Sequence, residues 1–334
     1  MIAEKGKMTV DALIGQAVGD AFGVPVEFLS RTRVQMMDLR EMIGADSPRP
    51  PESRWGNLIP AGSWSDDTSM TVASMASFIR QAGRIDYDDQ MTQFVRWWTE
   101  GEYCCLSRPF GLGGNVSAAM KRFERGGPAL ECGGRGLMDN GNGALMRILP
   151  FALYCVFRGL DTEETVTVAG NGSAITHAHE ISRMCCFIWT EFLRAIAEGA
   201  GVDGAVGHIE GLPYRQWFSV RTMDEVRFVT EGRVRKLTER DIRETGYVVD
   251  TLYTALYSLC GADNYEMSIR NAVSLGYDTD TAAAVTGMAA GMLYGTEGIP
   301  HRWLDVLGKR EYLEGVARGF AACIAENGGD NREA

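Results

Sequence analysis

A chain of 334 residues, 45% hydrophobic and 23% charged, has the composition of an ordinary globular protein and the length for a large core. Its net charge of −11 and pI near 5.0 argue against a nucleic-acid binder or an anionic-membrane binder, which would want a basic face. The first residues carry no apolar leader core, and the longest apolar stretch, residues 282–294, is too short and too rich in Gly and Thr to span a bilayer. The expectation is a cytoplasmic protein with no membrane partner.

The first predicted element is an apolar helix over residues 12–21, ended in a turn by Gly23 and Pro25. It belongs to the run Gly19-Asp20-Ala21-Phe22-Gly23-Val24-Pro25-Val26-Glu27-Phe28. Glu27 is an acid in apolar company, either a solvated loop glutamate or a carboxylate at a cleft wall with a tunable pKa. Residues 49–55 read as a loop. Then comes Ser65-Asp66-Asp67-Thr68, directly ahead of a helical run over 70–79 in which Val72, Met75, Ala76 and Ile79 share one face. Ser, Thr and Asp are ordinary helix N-caps, but one cap needs only one good acceptor, and here four consecutive side chains can accept.

Met91, Phe94, Val95 and Trp98 form another helical stripe. The run Gly111-Leu112-Gly113-Gly114-Asn115 has no strand before it, so a dinucleotide fingerprint is rejected. In Asp139-Asn140-Gly141-Asn142-Gly143-Ala144-Leu145-Met146-Arg147, glycines flank Asn142 and a helix is expected from about Ala144. Such a turn can offer free N–H groups to a phosphate, although Asn-Gly is also a plain turn. Thr176-His177-Ala178-His179 holds two of the four histidines, which read equally well as a solvated or core-satisfied pair and as functional residues.

Residues 201–221 read as a loop or excursion, and 226–234 is the best, weak, strand candidate. Leu252, Ala255, Leu256 and Leu259 return to helical spacing. Near the end, Asp278-Thr279-Asp280-Thr281 repeats the chemistry of the Ser65 cluster, again ahead of a small-residue helix. Gly287 and Gly291 lie on one face of that helix and imply a close helix–helix approach. The eight cysteines lack zinc-site spacing and are expected to be buried and reduced.

Asp66, Asp67, Asp278 and Asp280 with their neighbouring hydroxyls make an oxygen-only donor set, which favours Mg²⁺, Mn²⁺ or Ca²⁺ over zinc. Two divalent cations would neutralise four carboxylates packed together. If the two clusters form one site, the chain is one domain with its ends brought together. The plainer alternative is two unrelated, heavily decorated helix caps.

Taken in order, the Gly19–Phe28 run, Ser-Asp-Asp-Thr, Gly-Asn-Gly-Ala-Leu-Met-Arg, Thr-His-Ala-His and Asp-Thr-Asp-Thr resemble the ADP-ribosylglycohydrolases, which include the dinitrogenase-reductase-activating glycohydrolases. The likeness spans about residues 8–310. It implies an all-α, compact single-domain helical bundle over residues 8–325, with flexible termini at 1–7 and 326–334 and a central binuclear Mg²⁺ or Mn²⁺ cleft. It also implies hydrolysis at the distal ribose C1″ of an ADP-ribosylated protein or small ADP-ribosyl substrate.

By position in those motifs, Ser65, Asp66, Asp67, Asp278, Asp280 and Thr281 resemble metal ligands. Glu27, Asp67 and Asp139 resemble catalytic acids; Gly141, Asn142, Gly143 and His177 resemble the grip on ADP-ribose. Asp139 matches an acid of bacterial members acting on ADP-ribosyl-arginine, so arginine linkage is the expected substrate. The alternatives are a small ADP-ribosyl ester or nucleotide, or a non-catalytic ADP-ribose-binding relative. Three positions depart from the pattern: Ser65 for the usual Thr, Tyr277 for Gly, and Glu180 for Pro.

Overall fold

The computed structural model describes residues 2–326. Among them there are helices, short 3-10 turns and loops but no strand, only isolated bridges between Gly134 and His177 and between Gly141 and Tyr247. The all-α expectation holds. Both bridges fall beside the glycine and histidine motifs, where loops are sewn to each other rather than to a sheet.

The first helix runs Ile2–Gly23, beginning ten residues before the predicted start. Residues 2–7, expected as a flexible terminus, are its opening turns. They are tied down by Lys5 Nζ donating to Phe157 O (3.0 Å) and by Lys7 Nζ donating to Asp11 and Glu297 (2.6 and 3.2 Å). The polar character of these turns hid them from an apolar-periodicity reading. The expected C-terminal tail, apart from Glu326, lies outside the described residues.

From Ala12 to Phe22 this helix is buried on every face, the mark of a core helix rather than a surface one. Its partner is the helix Thr279–Tyr294. A Cβ on Gly15 would lie 2.3 Å from Gly287 O, one on Gly19 2.1 Å from Ala283 O, and one on Gly23 2.3 Å from Thr279 O. The paired numbers rise on one helix as they fall on the other, so the helices are antiparallel. The close approach implied by Gly287 and Gly291 is therefore real, and the residues facing them are the glycines of the first helix. This crossing carries Gly23, and Glu27 just beyond it, to the start of the second helix, where Asp278 and Asp280 stand.

A third helix, Asp66–Arg80, is pinned beside them by one side chain. Fully buried Gln16 donates from Nε2 to Asp67 O (3.1 Å), Thr71 Oγ1 (2.8 Å) and Met146 O (2.8 Å). That amide joins the first helix, the first acidic stretch and the turn after Asn142.

Three local expectations need correction. Residues 201–221 are mostly helical, with helices Val202–Glu210 and Val220–Glu225. The strand candidate at 226–234 is instead the helix Arg227–Thr230 and a 3-10 turn, Val234–Lys236. Its β-branched residues suggested a strand, but Val226 and Val229, one helical turn apart, are both fully buried. After Asn142 the chain makes a 3-10 turn at Leu145–Arg147 before the helix Leu149–Arg158, whose first turn holds Pro150. Six cysteines are buried as expected, and Cys260 is exposed. No single helix among the described residues is long and apolar enough to cross a membrane.

Candidate metal centre and substrate cleft

Ser65 has extended backbone and caps the Asp66–Arg80 helix; its Oγ accepts from Asp67 N (3.3 Å) and donates to Asp67 Oδ2 (3.0 Å). Two further backbone donors there, Ser65 N and Thr68 N, go to Asp20. Its carboxylate accepts from Ser65 N (2.9 Å), Thr68 N (3.1 Å) and Thr68 Oγ1 (2.6 Å). Asp20 is fully buried in the first helix, and burial pushes its pKa up to about 6. Because Asp20 satisfies the backbone, the carboxylates of Asp66 and Asp67 are left over. Asp67 Oδ1 is buried with no hydrogen-bond partner. Asp66 Oδ1 lies only 2.0 Å from where a Cβ on Gly111 would sit, so the glycine run is packed directly over it.

The second stretch is held differently. Asp278 starts the Thr279–Tyr294 helix with φ −90° and ψ 65° and gives it no side-chain cap. Thr279 Oγ1 donates to Gly23 O (2.8 Å), and Asp280 Oδ1 accepts from Thr281 N (2.9 Å). Asn142 Nδ2 donates to Asp278 Oδ2 (2.6 Å) and to Thr251 Oγ1 (2.9 Å), linking the glycine turn to the acids. Glu27, Asp278 and Asp280 each present a carboxylate oxygen, all within 4.8 Å of one another. Trp55 Nε1 donates to Glu27 Oε2 and fixes it there.

Burial, then repulsion from Asp278 and Asp66, raises Glu27 to about 9. Burial, then Asp20, raises Asp66 to about 8. Asp67 and Asp280 are driven well above the ordinary range by burial; after it come Asp20, Asp66 and Asp278 for Asp67, and Glu27, Asp67 and Asp278 for Asp280. Asp66 of the first stretch and Asp278 and Asp280 of the second line the same cleft, so the two acidic stretches meet. Five acids cannot all ionise so close together unless cations join them. Hard oxygen donors, an orphaned buried carboxylate oxygen and the short spacing of three acids together fit a divalent cation.

Above this floor lies a cleft of about 440 Å³. One side is built of glycines and amides, from Gly111 to Asn115 and from Gly141 to Gly143, with Gly246 and His177. Asn142 N donates to Gly246 O (3.1 Å), and Val248 N to Asn140 O (3.0 Å). A Cβ on Gly143 would lie 2.9 Å from Val116 Cγ2 and 3.0 Å from His177 Cε1, so a side chain there would press on both. His177 is buried, and its pKa falls to about 3 through burial and the Arg147 charge, so its ring is neutral. Arg147 donates to Thr176 Oγ1 (2.7 Å), and the same hydroxyl meets His177 Nδ1 at 2.9 Å. In the tautomer where the hydroxyl gives its own proton to Nδ1, Nε2 is the N–H donor.

The profile of the ADP-ribosylglycohydrolase family matches residues 5–330. The chain belongs to the ADP-ribosylglycohydrolase family. The ADP-ribosylarginine hydrolase Tri1 of Serratia proteamaculans (strain 568) is 32% identical over 307 residues, covering 92% of this chain and 76% of that one. The ADP-ribosyl-[dinitrogen reductase] glycohydrolase of Rhodospirillum rubrum is 28% identical over 321 residues, 96% of each chain. A solved ADP-ribosylglycohydrolase-related protein complex shares the fold with a TM-score of 0.76 at 29% identity, covering 96% of this chain and 99% of that one. The chain is thus an ADP-ribosylglycohydrolase in fold and enzyme class.

In this ADP-ribosylglycohydrolase, Glu27, Asp66, Asp278, Asp280, Thr281, Gly141, Asn142, Gly143 and His177 all line the cleft, with Ser65 and Asp67 buried beside them. Asp139 is not among the lining residues. Its Oδ2 accepts from Gly136 N (2.8 Å) and closes the short turn before Asn140. His179 caps the helix Glu180–Ala197 by accepting from Ile181 N (3.3 Å). Glu180 accepts from Ser219 N (3.1 Å) and from the Thr222 hydroxyl, holding the next loop instead of entering the cleft.

Sequence reasoning passed over Asp20, Arg54, Trp55 and the cleft position of Gly111. For Asp20 a signal existed: an acid inside an apolar helix must find a buried partner. For Trp55 there was none, because its link to Glu27 joins a loop to a turn with no local pattern.

Proposed function

We propose that this enzyme hydrolyses the bond between the distal ribose C1″ of ADP-ribose and an arginine side chain, using two divalent cations, Mg²⁺ or Mn²⁺. The observation that carries this reading is the convergence of Glu27, Asp66, Asp67, Asp278 and Asp280 beneath a glycine-lined cleft. Relatives bearing the name ADP-ribosylarginine hydrolase support the arginine linkage.

Asp66, Asp67, Asp278, Asp280 and the hydroxyls of Ser65 and Thr281 would hold the cations, with Glu27 at their edge. Such cations supply a polarised water and a fixed ribose diol. Cleavage builds positive charge at C1″ and negative charge on the departing nitrogen. The carboxylate floor stabilises the first. Glu27, steered by the Trp55 indole N–H and ionised once cations join the cluster, would take the proton of the attacking water and pass it to the departing nitrogen. The neutral His177 donates from Nε2 to a ribose or pyrophosphate oxygen, and Asn142 holds Asp278 while its flanking glycines let the nucleotide approach the backbone. The Asp139 geometry supports a positioning role, keeping the turn that presents Asn142, more than a proton transfer.

The test is incubation with ADP-ribosylated arginine, serine and acetyl ester substrates, with and without each metal, following free ADP-ribose. Metal-dependent release, fastest from arginine, is expected. Faster release from serine or the ester would overturn the linkage, and equal release in chelator would overturn the metal.

A further inference from the structure

The cleft has a second side unlike the first. Phe28 follows Glu27 and Tyr277 precedes Asp278, so both aromatics stand at the edge of the carboxylate floor. They lie in the left-handed region, at φ 64° and 63°. Residues with a Cβ rarely adopt it. Paired backbone bonds hold them, Phe28 N to Tyr277 O (2.6 Å) and Tyr277 N to Leu29 O (2.8 Å). Their rings meet edge to face at 5.3 Å, and each side chain stays about two-fifths exposed at the cleft mouth (41% and 39%). Two strained positions thus keep two large apolar rings in water, where burial would have been favourable. Such strain beside a site points to a use.

A guanidinium already sits there. The Arg54 guanidinium carbon is 4.7 Å from the centre of the Trp55 ring and 5.5 Å from that of Phe28. Its contacts there are ring faces, with Glu27 close by. Aromatic faces attract cations through their quadrupole, Arg more often than Lys. The rings offer phosphate no backbone donors, whereas glycine turns with free N–H groups suit it. The nucleotide therefore belongs on the glycine and amide side, and the group leaving C1″ on the aromatic side.

Resting on the arginine reading above, we infer that Phe28, Trp55 and Tyr277 form a guanidinium-binding shelf for the arginine leaving group. Arg54 rests on this shelf until the substrate arginine displaces it. The shelf selects the linkage through charge and planarity, and Tyr277, which stands where the family motif has glycine, supplies its outer wall.

The probes are N-acetyl-argininamide and its neutral isostere N-acetyl-citrullinamide, titrated into the full-length enzyme loaded with Mg²⁺ and ADP-ribose. Binding is read by NMR line broadening. The arginine probe is expected to bind about tenfold more tightly than the citrulline probe. Tyr277→Leu should lose about three- to tenfold of that binding while Tyr277→Phe retains it, and Arg54→Ala should strengthen it. Both Tyr277 variants keep the same backbone demand, and the melting temperature checks their folding. Equal binding of the two probes, or an unchanged arginine affinity in Tyr277→Leu, overturns the shelf. A loss of ADP-ribose affinity in Tyr277→Leu also overturns it, by showing that the rings hold adenine. Because the probes need no turnover, a selective shelf in an enzyme that fails to release arginine-linked ADP-ribose would overturn the linkage and leave the shelf standing.

Discussion

The two acidic stretches read alike and are built differently. Ser65–Thr68 is pre-tied: Asp20 takes the N–H groups of Ser65 and Thr68, and the Ser65 hydroxyl takes that of Asp67. Asp278–Thr281 has no cap of its own and is held from outside, by Gly23 O accepting from Thr279 and by the Asn142 amide on Asp278. One stretch is a rigid half-site made by its own helix end and one buried acid. The other depends on elements more than a hundred residues away in sequence. Similar residues therefore reach one site by two routes, and only the Ser65 cap of the first can be read locally.

The largest expected effect comes from striking the acids themselves. Asp67→Ala and Asp280→Ala should each lower turnover by about 10²–10³-fold or more and lose metal. Joined in one protein they should cost little more than either alone, since both remove members of one site. Additive losses in a double-mutant cycle would separate the stretches.

Metal removal is next. Saturating Mg²⁺ or Mn²⁺ at about a hundredfold over Kd should stabilise the fold by about 2.7 kcal/mol, read as a melting-temperature drop on chelation. The size should depend on pH. Asp20, Asp66 and Glu27 have folded-state values raised to about 6, 8 and 9. Their protonation favours the metal-free fold; that contribution is whole below about pH 4 and is lost as pH rises through those values. The metal-free melting temperature should fall from about pH 5 to 9, and the increment restored by metal should grow over the same window. A metal-free protein that gains stability on that climb would contradict the buried acid cluster.

Gly19→Ala should destabilise by about 1–3 kcal/mol, because its Cβ would meet Ala283 O at 2.1 Å and push the two half-sites apart. Chemical denaturation measures the loss, and metal affinity should fall with it. Asp20→Asn should cost about 1–2 kcal/mol and loosen only the first stretch, while Asn142→Ala should loosen the second. Hydrogen exchange at Thr68 and at Thr281 reports which one moves. Matching changes at both amides in either variant would erase the distinction drawn here.

The same distinction explains what could be read in advance. Motif chemistry was legible because the acids of the cleft floor, the Asn142 turn and His177 each sit in a short contiguous run with unusual donors. The glycine crossing was half legible: Gly287 and Gly291 announced a close approach, while Gly15, Gly19 and Gly23 lay in a helix whose apolar residues drew the attention. Asp139 was placed by motif spacing alone, and the structure spends its carboxylate on the Gly136 turn. Trp55 and Arg54 were invisible because what matters about them is a contact across the chain, onto Glu27 and Phe28.

The central claim is that carboxylates from both stretches hold the same cations. Crystals grown with Mn²⁺ and measured at the manganese absorption edge test it directly, since anomalous peaks place the ions without reference to activity. The account predicts peaks bridged by Asp66 or Asp67 on one side and Asp278 or Asp280 on the other. Peaks confined to one stretch, or none in a fully Mn²⁺-loaded and active crystal, would contradict it and return each stretch to a decorated helix cap.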